Sequence, residues 1–156
     1  MGFLDALLEP NVLLLNSHYT TDQMTLIMKI ESKQARCPSC HNLSHRRHSH
    51  YVRQLKDLPL GDREVQLFLC SNKWFCDHSD CAVKVFTERL NWIDPYRRRT
   101  RRLEEQLTTL AFSTSCLQAE KLCKLFHISV SHDALLDLIY RKNQEPETHF
   151  PFRRSG

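Results

Sequence analysis

The sequence has little of what breaks up or stretches a chain. Three glycines in 156 residues exclude collagen-like repeats and glycine-rich low-complexity segments. Long apolar runs are missing too. The longest aliphatic run, Val12–Leu15, falls far short of the roughly 20 residues that a membrane-spanning helix needs. The sequence does not open with a basic stretch, an apolar stretch and a small-residue cleavage site, so the expected compartment is the cytoplasm. Met1-Gly2 suggests myristoylation, but Ala6 interrupts that signal.

Acidic residues are absent from two stretches, and this explains a bland net charge of +4. Residues 36–56 hold five basic residues and four histidines without one carboxylate. Residues 96–102 hold five arginines, again without an acid. The rest of the chain is mildly acidic. Clustering of this kind matters more than the total for binding anions.

Seven cysteines are present, an odd number in a chain with no export signal, so a disulfide framework is not expected. Four of them are paired by spacing. Cys37-Pro38-Ser39-Cys40 is a C-x2-C knuckle, and Cys76 and Cys81 bound a C-x4-C knuckle. Two such loops joined by strands can present four thiolates to one tetrahedral zinc. With four sulfurs the coordination shell is closed, so the expected Zn2+ is structural. His41 and His78 flank the knuckles and are expected at the surface or beside the ligands rather than among them. Cys70, Cys116 and Cys123 lack paired partners and sit in apolar patterns, which predicts small core residues.

The hydrophobic period changes near Asp94-Pro95. Before it, Thr25–Ile30, the alternation of Val65, Leu67 and Leu69 after Gly61-Asp62, Trp74-Phe75 and Val83–Thr87 read as strands. After it, Asp94 as N-cap and Pro95 as first helical residue predict a helix whose stripe runs from Tyr96 to Ala111. Ser115 to Gln118 has capping-box spacing for a second helix ending about Phe126. Ser129 or Ser131 then caps a third, with Leu135, Leu138 and Ile139 facing inward. Pro146 and Pro151 end the pattern. The expected organisation is an N-terminal helix and strand extension (1–35), a zinc ribbon (36–92), a helix-turn-helix unit (94–142) and a linker or tail (143–156). The predicted class is α+β, with a small β-rich zinc ribbon followed by a three-helix module.

Basic and aromatic residues interleave at Arg46, Arg47, His48, Tyr51 and Arg53, a pattern suited to phosphate and base-edge contacts. Arg97, Arg98, Arg101 and Arg102 fall off the apolar stripe and are expected to face solvent or DNA, with salt bridges to Glu104 and Glu105 as the competitor. In a helix-turn-helix the last helix would read the groove, with His132 and Arg141 on its surface. Asp133 and Asp137 on the same helix disfavour that face. A plain helical bundle for packing or dimerisation is the alternative.

These motifs together resemble the N-terminal part of ISL-three family insertion-sequence transposases. The likeness rests on Cys37–Cys40, His48–Tyr51, Arg53–Pro59, Trp74–Cys76, Cys81 and Phe86–Arg89, followed by the arginine-rich and helix-turn-helix segments. It covers about residues 37–141. It implies a zinc-binding domain and a helix-turn-helix that recognise the terminal inverted repeats of the element in bacterial cytoplasm. It also implies a downstream RNase H-like domain whose carboxylates cut DNA. The sequence reaches about the boundary of that domain at Phe150–Gly156, so no residue here inherits a catalytic role and the chain is not expected to be an enzyme by itself. The expected partner is double-stranded DNA, with a homodimer as a further candidate and neither membrane nor small-molecule substrate. The rival readings are a zinc-ribbon adaptor for proteins and a DNA-binding regulator. A nuclease built on Asp57, Asp62 and Asp94 lacks any strand-end arrangement to support it.

Overall fold

The computed structural model describes residues 9–144. Residues 1–8 of the expected extension, and the tail from 145 on with Pro146 and Pro151, lie outside the described residues. The chain runs through β1 (Val12–Tyr19), β2 (Gln23–Ile30), β3 (Ala35–Arg36), β4 (Leu43–Ser44), β5 (Arg47–Leu60), β6 (Arg63–Phe75) and β7 (Val85–Thr87). Three helices follow: α1 (Arg101–Ser113), α2 (Cys116–Leu125) and α3 (His132–Gln144). The result is a mixed α+β fold with a sheet-rich part, a cysteine cluster and three helices. Among the described residues, no helix is long and apolar enough to cross a membrane.

The main sheet has the order β1-β2-β6-β5, with β7 paired to the far end of β6. β5 and β6 form a long antiparallel hairpin closed by Gly61-Asp62, where Gly61 takes φ 62°. That left-handed backbone is open to glycine at no steric cost. β2 lies parallel to β6, with Leu26 beside Leu67 and Met28 beside Leu69. Side chains alternate faces along a strand, so Leu26, Met28, Ile30, Leu55, Val65, Leu67 and Leu69 share one buried face. Leu90 and Ile93, from the segment after β7, cover it. The hairpin β1–β2, within the expected N-terminal helix and strand extension, lies in this same sheet.

The opposite face stays more open, with Ile27 and Val52 exposed. Cys70 points there, half-buried and outside every apolar cluster, because it pairs with Val52 and Lys29 one position out of phase with the core. Cys123 behaves as expected: it is fully buried among the helices, and burial pushes its thiol up. Cys116 packs half-buried against the same cluster.

The helices pack around Leu103, Leu107, Ala111, Ala119, Cys123, Leu135 and Leu138. Ser115 caps α2 by accepting from the Gln118 N–H, and Ser131 accepts from the Ala134 N–H at the start of α3. α1 begins later than the sequence predicts. Its N-cap is Thr100, not Asp94, and residues 94–99 are a connector that turns at Pro95-Tyr96 and meets β5 only at its Arg98–Arg99 end. The Lys56 N–H donates to the Arg98 carbonyl, and the Thr100 N–H donates to the Lys56 carbonyl. These tertiary bonds outweigh the local cap signal of Asp94-Pro95. Tyr96, predicted to point inward, is 95% exposed with φ 61°.

Asp57 ties the sheet to the helices. Asp57 is 7% exposed, and its carboxylate accepts from the Thr100 hydroxyl at 2.6 Å, from Arg102 Nε at 2.7 Å and from the Leu58 N–H at 2.8 Å. A second Arg102 nitrogen bonds the other oxygen, and this pairing raises the guanidinium pKa despite partial burial. Asp57→Ala strands the buried Thr100 hydroxyl and leaves Arg102 without its carboxylate. It should destabilise the protein by about 1–3 kcal/mol, seen as a lower urea midpoint. An unchanged midpoint would remove Asp57 from this role.

Candidate metal centre and basic surface

Both knuckles are the ends of hairpins. β3 and β4 pair through Ala35–Ser44 and Arg36–Leu43, which turns the chain back at Cys37–Cys40. Inside that turn the Cys37 N–H donates to the Asn42 carbonyl and the His41 N–H donates to the Cys37 carbonyl. His41 carries the turn with φ 62°. The second knuckle joins β6 to β7: the Cys76 N–H donates to the Lys84 carbonyl, and the Cys81 N–H donates to the His78 carbonyl. Trp74, Phe86 and Ala35 pack beneath the cysteines in a third apolar cluster.

The four sulfurs all lie within 4.8 Å of one another. Cys37 and Cys81 Sγ are 3.9 Å apart, and Cys40 and Cys76 Sγ are 3.5 Å apart. Zn–S bonds of about 2.3 Å in tetrahedral array place sulfurs about 3.8 Å apart. The donor set therefore fits zinc, with Cys37, Cys76 and Cys81 buried. His41 and His78 are exposed and outside the cluster.

The Cys37 and Cys76 thiols are shifted in opposite directions. Burial pushes the Cys37 thiol up, but hydrogen bonds from the Cys40 and Ser39 backbone and from the Cys76 and Cys40 thiols outweigh it and bring it down to about 7. The His78 backbone pulls Cys76 down, yet burial and the Cys40, Cys37 and Cys81 thiols push it up to about 12. A first thiolate is stabilised and a later one repelled. Four together require a multivalent cation, and the site holds one structural zinc.

Residues 33–81 match the family described as zinc-finger of transposase IS204/IS1001/IS1096/IS1165. The likeness is to a transposase zinc finger. It covers just under a third of the chain and takes in all four cysteines, and it indicates a transposase-related DNA-binding role. No curated protein and no solved structure matches the chain.

The first basic cluster wraps this zinc-finger region. Arg46 stacks on Phe75, its guanidinium carbon 4.8 Å from the ring centroid, and pairs with Asp77. Arg47 lies 5.4 Å from the Trp74 ring centroid and donates to the Ser32 carbonyl at 2.9 Å. The His48 ring meets Phe75 edge-on at 4.7 Å. All three remain exposed. Arg53 has turned inward: it donates to the carbonyls of Asp94 at 3.4 Å and Arg97 at 2.8 Å, so it shapes the connector.

The second cluster is more committed than its solvent-facing expectation. Arg97 pairs with Glu104 at 2.6 Å, Arg101 with Asp94 at 2.6 Å, and Arg102 with Asp57. Glu104 was foreseeable as a partner; Asp57, 45 residues away, was not. Arg98 alone of the four selected arginines stays exposed without an ion pair among the described residues. On α3, His132 sits 3.5 Å from Glu120 and 3.2 Å from Asp133, and Arg141 pairs with Asp137.

The structure also brings forward Lys73, which lies outside both basic stretches of the sequence. Its Nζ lies 5.0 Å from the centroid of the Tyr51 ring. The period-2 alternation that places Val65, Leu67 and Leu69 on one face extends through Ser71 to Lys73, and that signal was readable.

Purified protein should contain one zinc per chain by metal analysis, and Cys76→Ser or Cys81→Ser should abolish it. Binding must expel protons from the thiols that still carry them. Zinc affinity should therefore rise as pH rises through neutrality and fall on acidification, as measured by competition with a chromophoric chelator. A stoichiometry unaffected by Cys76→Ser would exclude this site.

Proposed function

We propose that this chain is the DNA-recognition part of a transposase that binds the terminal inverted repeats of an insertion sequence. The observation that carries this reading is the coincidence of the transposase zinc-finger match with a four-sulfur site geometrically fit for zinc. Zinc closes the β-rich end and holds Arg46, Arg47 and His48 outward on an aromatic base, where they contact phosphates. In the helical part, α2, the turn and α3 act as a helix-turn-helix, with α3 entering the major groove. Its His132 and Arg141 exchange their acidic neighbours for DNA on binding. The residues of this chain bind and orient the DNA ends; cleavage belongs to a metal-dependent carboxylate domain elsewhere in the transposase.

A second reading is homodimerisation through the helices. It is favoured by exposed Phe112, Leu117, Leu125 and Phe126, together with Leu136 and Tyr140 one turn apart on α3. Two copies would then meet two inverted ends.

Anisotropy with a labelled inverted-repeat duplex tests the first reading. Binding should weaken steeply between about 50 and 200 mM salt, because neutralised phosphates release counterions. Arg46→Glu with Arg47→Glu should weaken it further, and zinc chelation should abolish it. Salt-independent binding, or no preference for the repeat over scrambled DNA, would defeat it. Sedimentation of the free and DNA-bound chain tests the second.

A further inference from the structure

A cleft of about 600 Å3 lies between the metal end of the hairpin and the connector. Tyr51, Arg53 and Lys73 form its strand wall, and Tyr96 and Arg98 form its connector wall. Five cations line it against a single carboxylate, Glu88. Glu88 keeps its charge, but its oxygens are held in place by the neutral donors Ser32, Asn72 and Trp74, and the cations outnumber it, so the lining is net positive. Arg53 is occupied by connector carbonyls and Arg97 by Glu104. Lys73, Arg89 and Arg98 therefore face the cleft with no ion pair among the described residues.

The rim is built rather than incidental. The Arg97 N–H donates to the Asp94 carbonyl, Arg53 bonds both ends of that turn, and Arg101 holds the Asp94 carboxylate. The turn forces Tyr96 into a left-handed backbone and leaves its ring 95% exposed beside Arg98. A large aromatic held in a strained backbone with no packing role is a feature that binding can use.

We propose that this cleft takes a single DNA strand, with phosphates on Lys73, Arg89 and Arg98 and an unpaired base stacked on Tyr96. This rests on the DNA-binding reading above and deepens it. Volumes of this size suit a small ligand, so a nucleotide or two fit and a duplex does not. Cations beside exposed aromatic rings are the chemistry that holds unpaired bases, since every base offers a π-face. The strand is the frayed or processed end of the duplex bound by the rest of the molecule.

The test compares the zinc-loaded full chain on two labelled inverted-repeat duplexes, one blunt and one with a short single-stranded tail. The tail should tighten binding. Tyr96→Ala should reduce affinity for the tailed duplex roughly 5- to 150-fold, the effect of losing one stacked base, with little change on the blunt one. Tyr96→Phe should keep the advantage. Reversing Lys73, Arg89 and Arg98 to Glu should lower the salt slope of the tailed complex by about two, as expected for three single-strand phosphate contacts. One zinc per chain and an unchanged circular dichroism spectrum establish that the variants are folded. Equal binding of tailed and blunt DNA, or equal losses on both, would overturn the proposal while leaving duplex recognition standing. If neither DNA binds, the underlying DNA-binding reading itself fails.

Discussion

The pairing of β5 with β6 is the constraint on which the other parts depend. Leu55, Val65, Leu67 and Leu69 from these strands make the sheet core, and Trp74 lies in the core beneath the cysteines. Leu58 packs against the helical core. A slip of one residue would turn Leu67 and Leu69 to the open face and Phe68 inward, because side chains alternate along a strand. It would also rotate the Asp57 carboxylate away from Thr100 and Arg102. One register thus decides the sheet core, the helix attachment and the placement of the second metal knuckle.

Two basic stretches that look alike in the sequence have different fates on this frame. The first is laid on aromatic rings, so its guanidiniums stay at the surface with their planes supported. The second is largely consumed in joining connector, sheet and helix. Ion pairs that are partly buried and hydrogen-bonded, such as Arg102 with Asp57, fix geometry more than they add stability. Here they fix the direction in which α1 leaves the sheet. Five consecutive-looking cations therefore mark a joint as much as a binding surface.

What was legible in the sequence was local or periodic. The C-x2-C and C-x4-C spacings identify the sulfur cluster, the alternation around Val65 identifies β6, and Ser115 and Ser131 mark two helix starts. The misplaced start of α1 shows the limit. Asp94-Pro95 is a sound local cap, but the chain there finds better partners in the backbone of Lys56, nearly forty positions earlier. The exposure of Tyr96 and the engagement of Arg102 follow from that same non-local choice, and no window of neighbouring residues contains it. Cys70 illustrates the other limit: an apolar setting did not reveal which face of β6 it occupies.

The order of the ligands along the chain has a kinetic consequence. Cys37 and Cys40 lie in the connection between the parallel strands β2 and β6, and Cys76 and Cys81 come only after β6. A local hairpin such as β5–β6 closes in microseconds, whereas pairing β2 with β6 must first meet the entropy of closing a longer loop. During synthesis, a chain that has emerged only through β5 carries two thiols and no site. The four-sulfur set is complete only once the chain has been made through Cys81, after both strands of the hairpin.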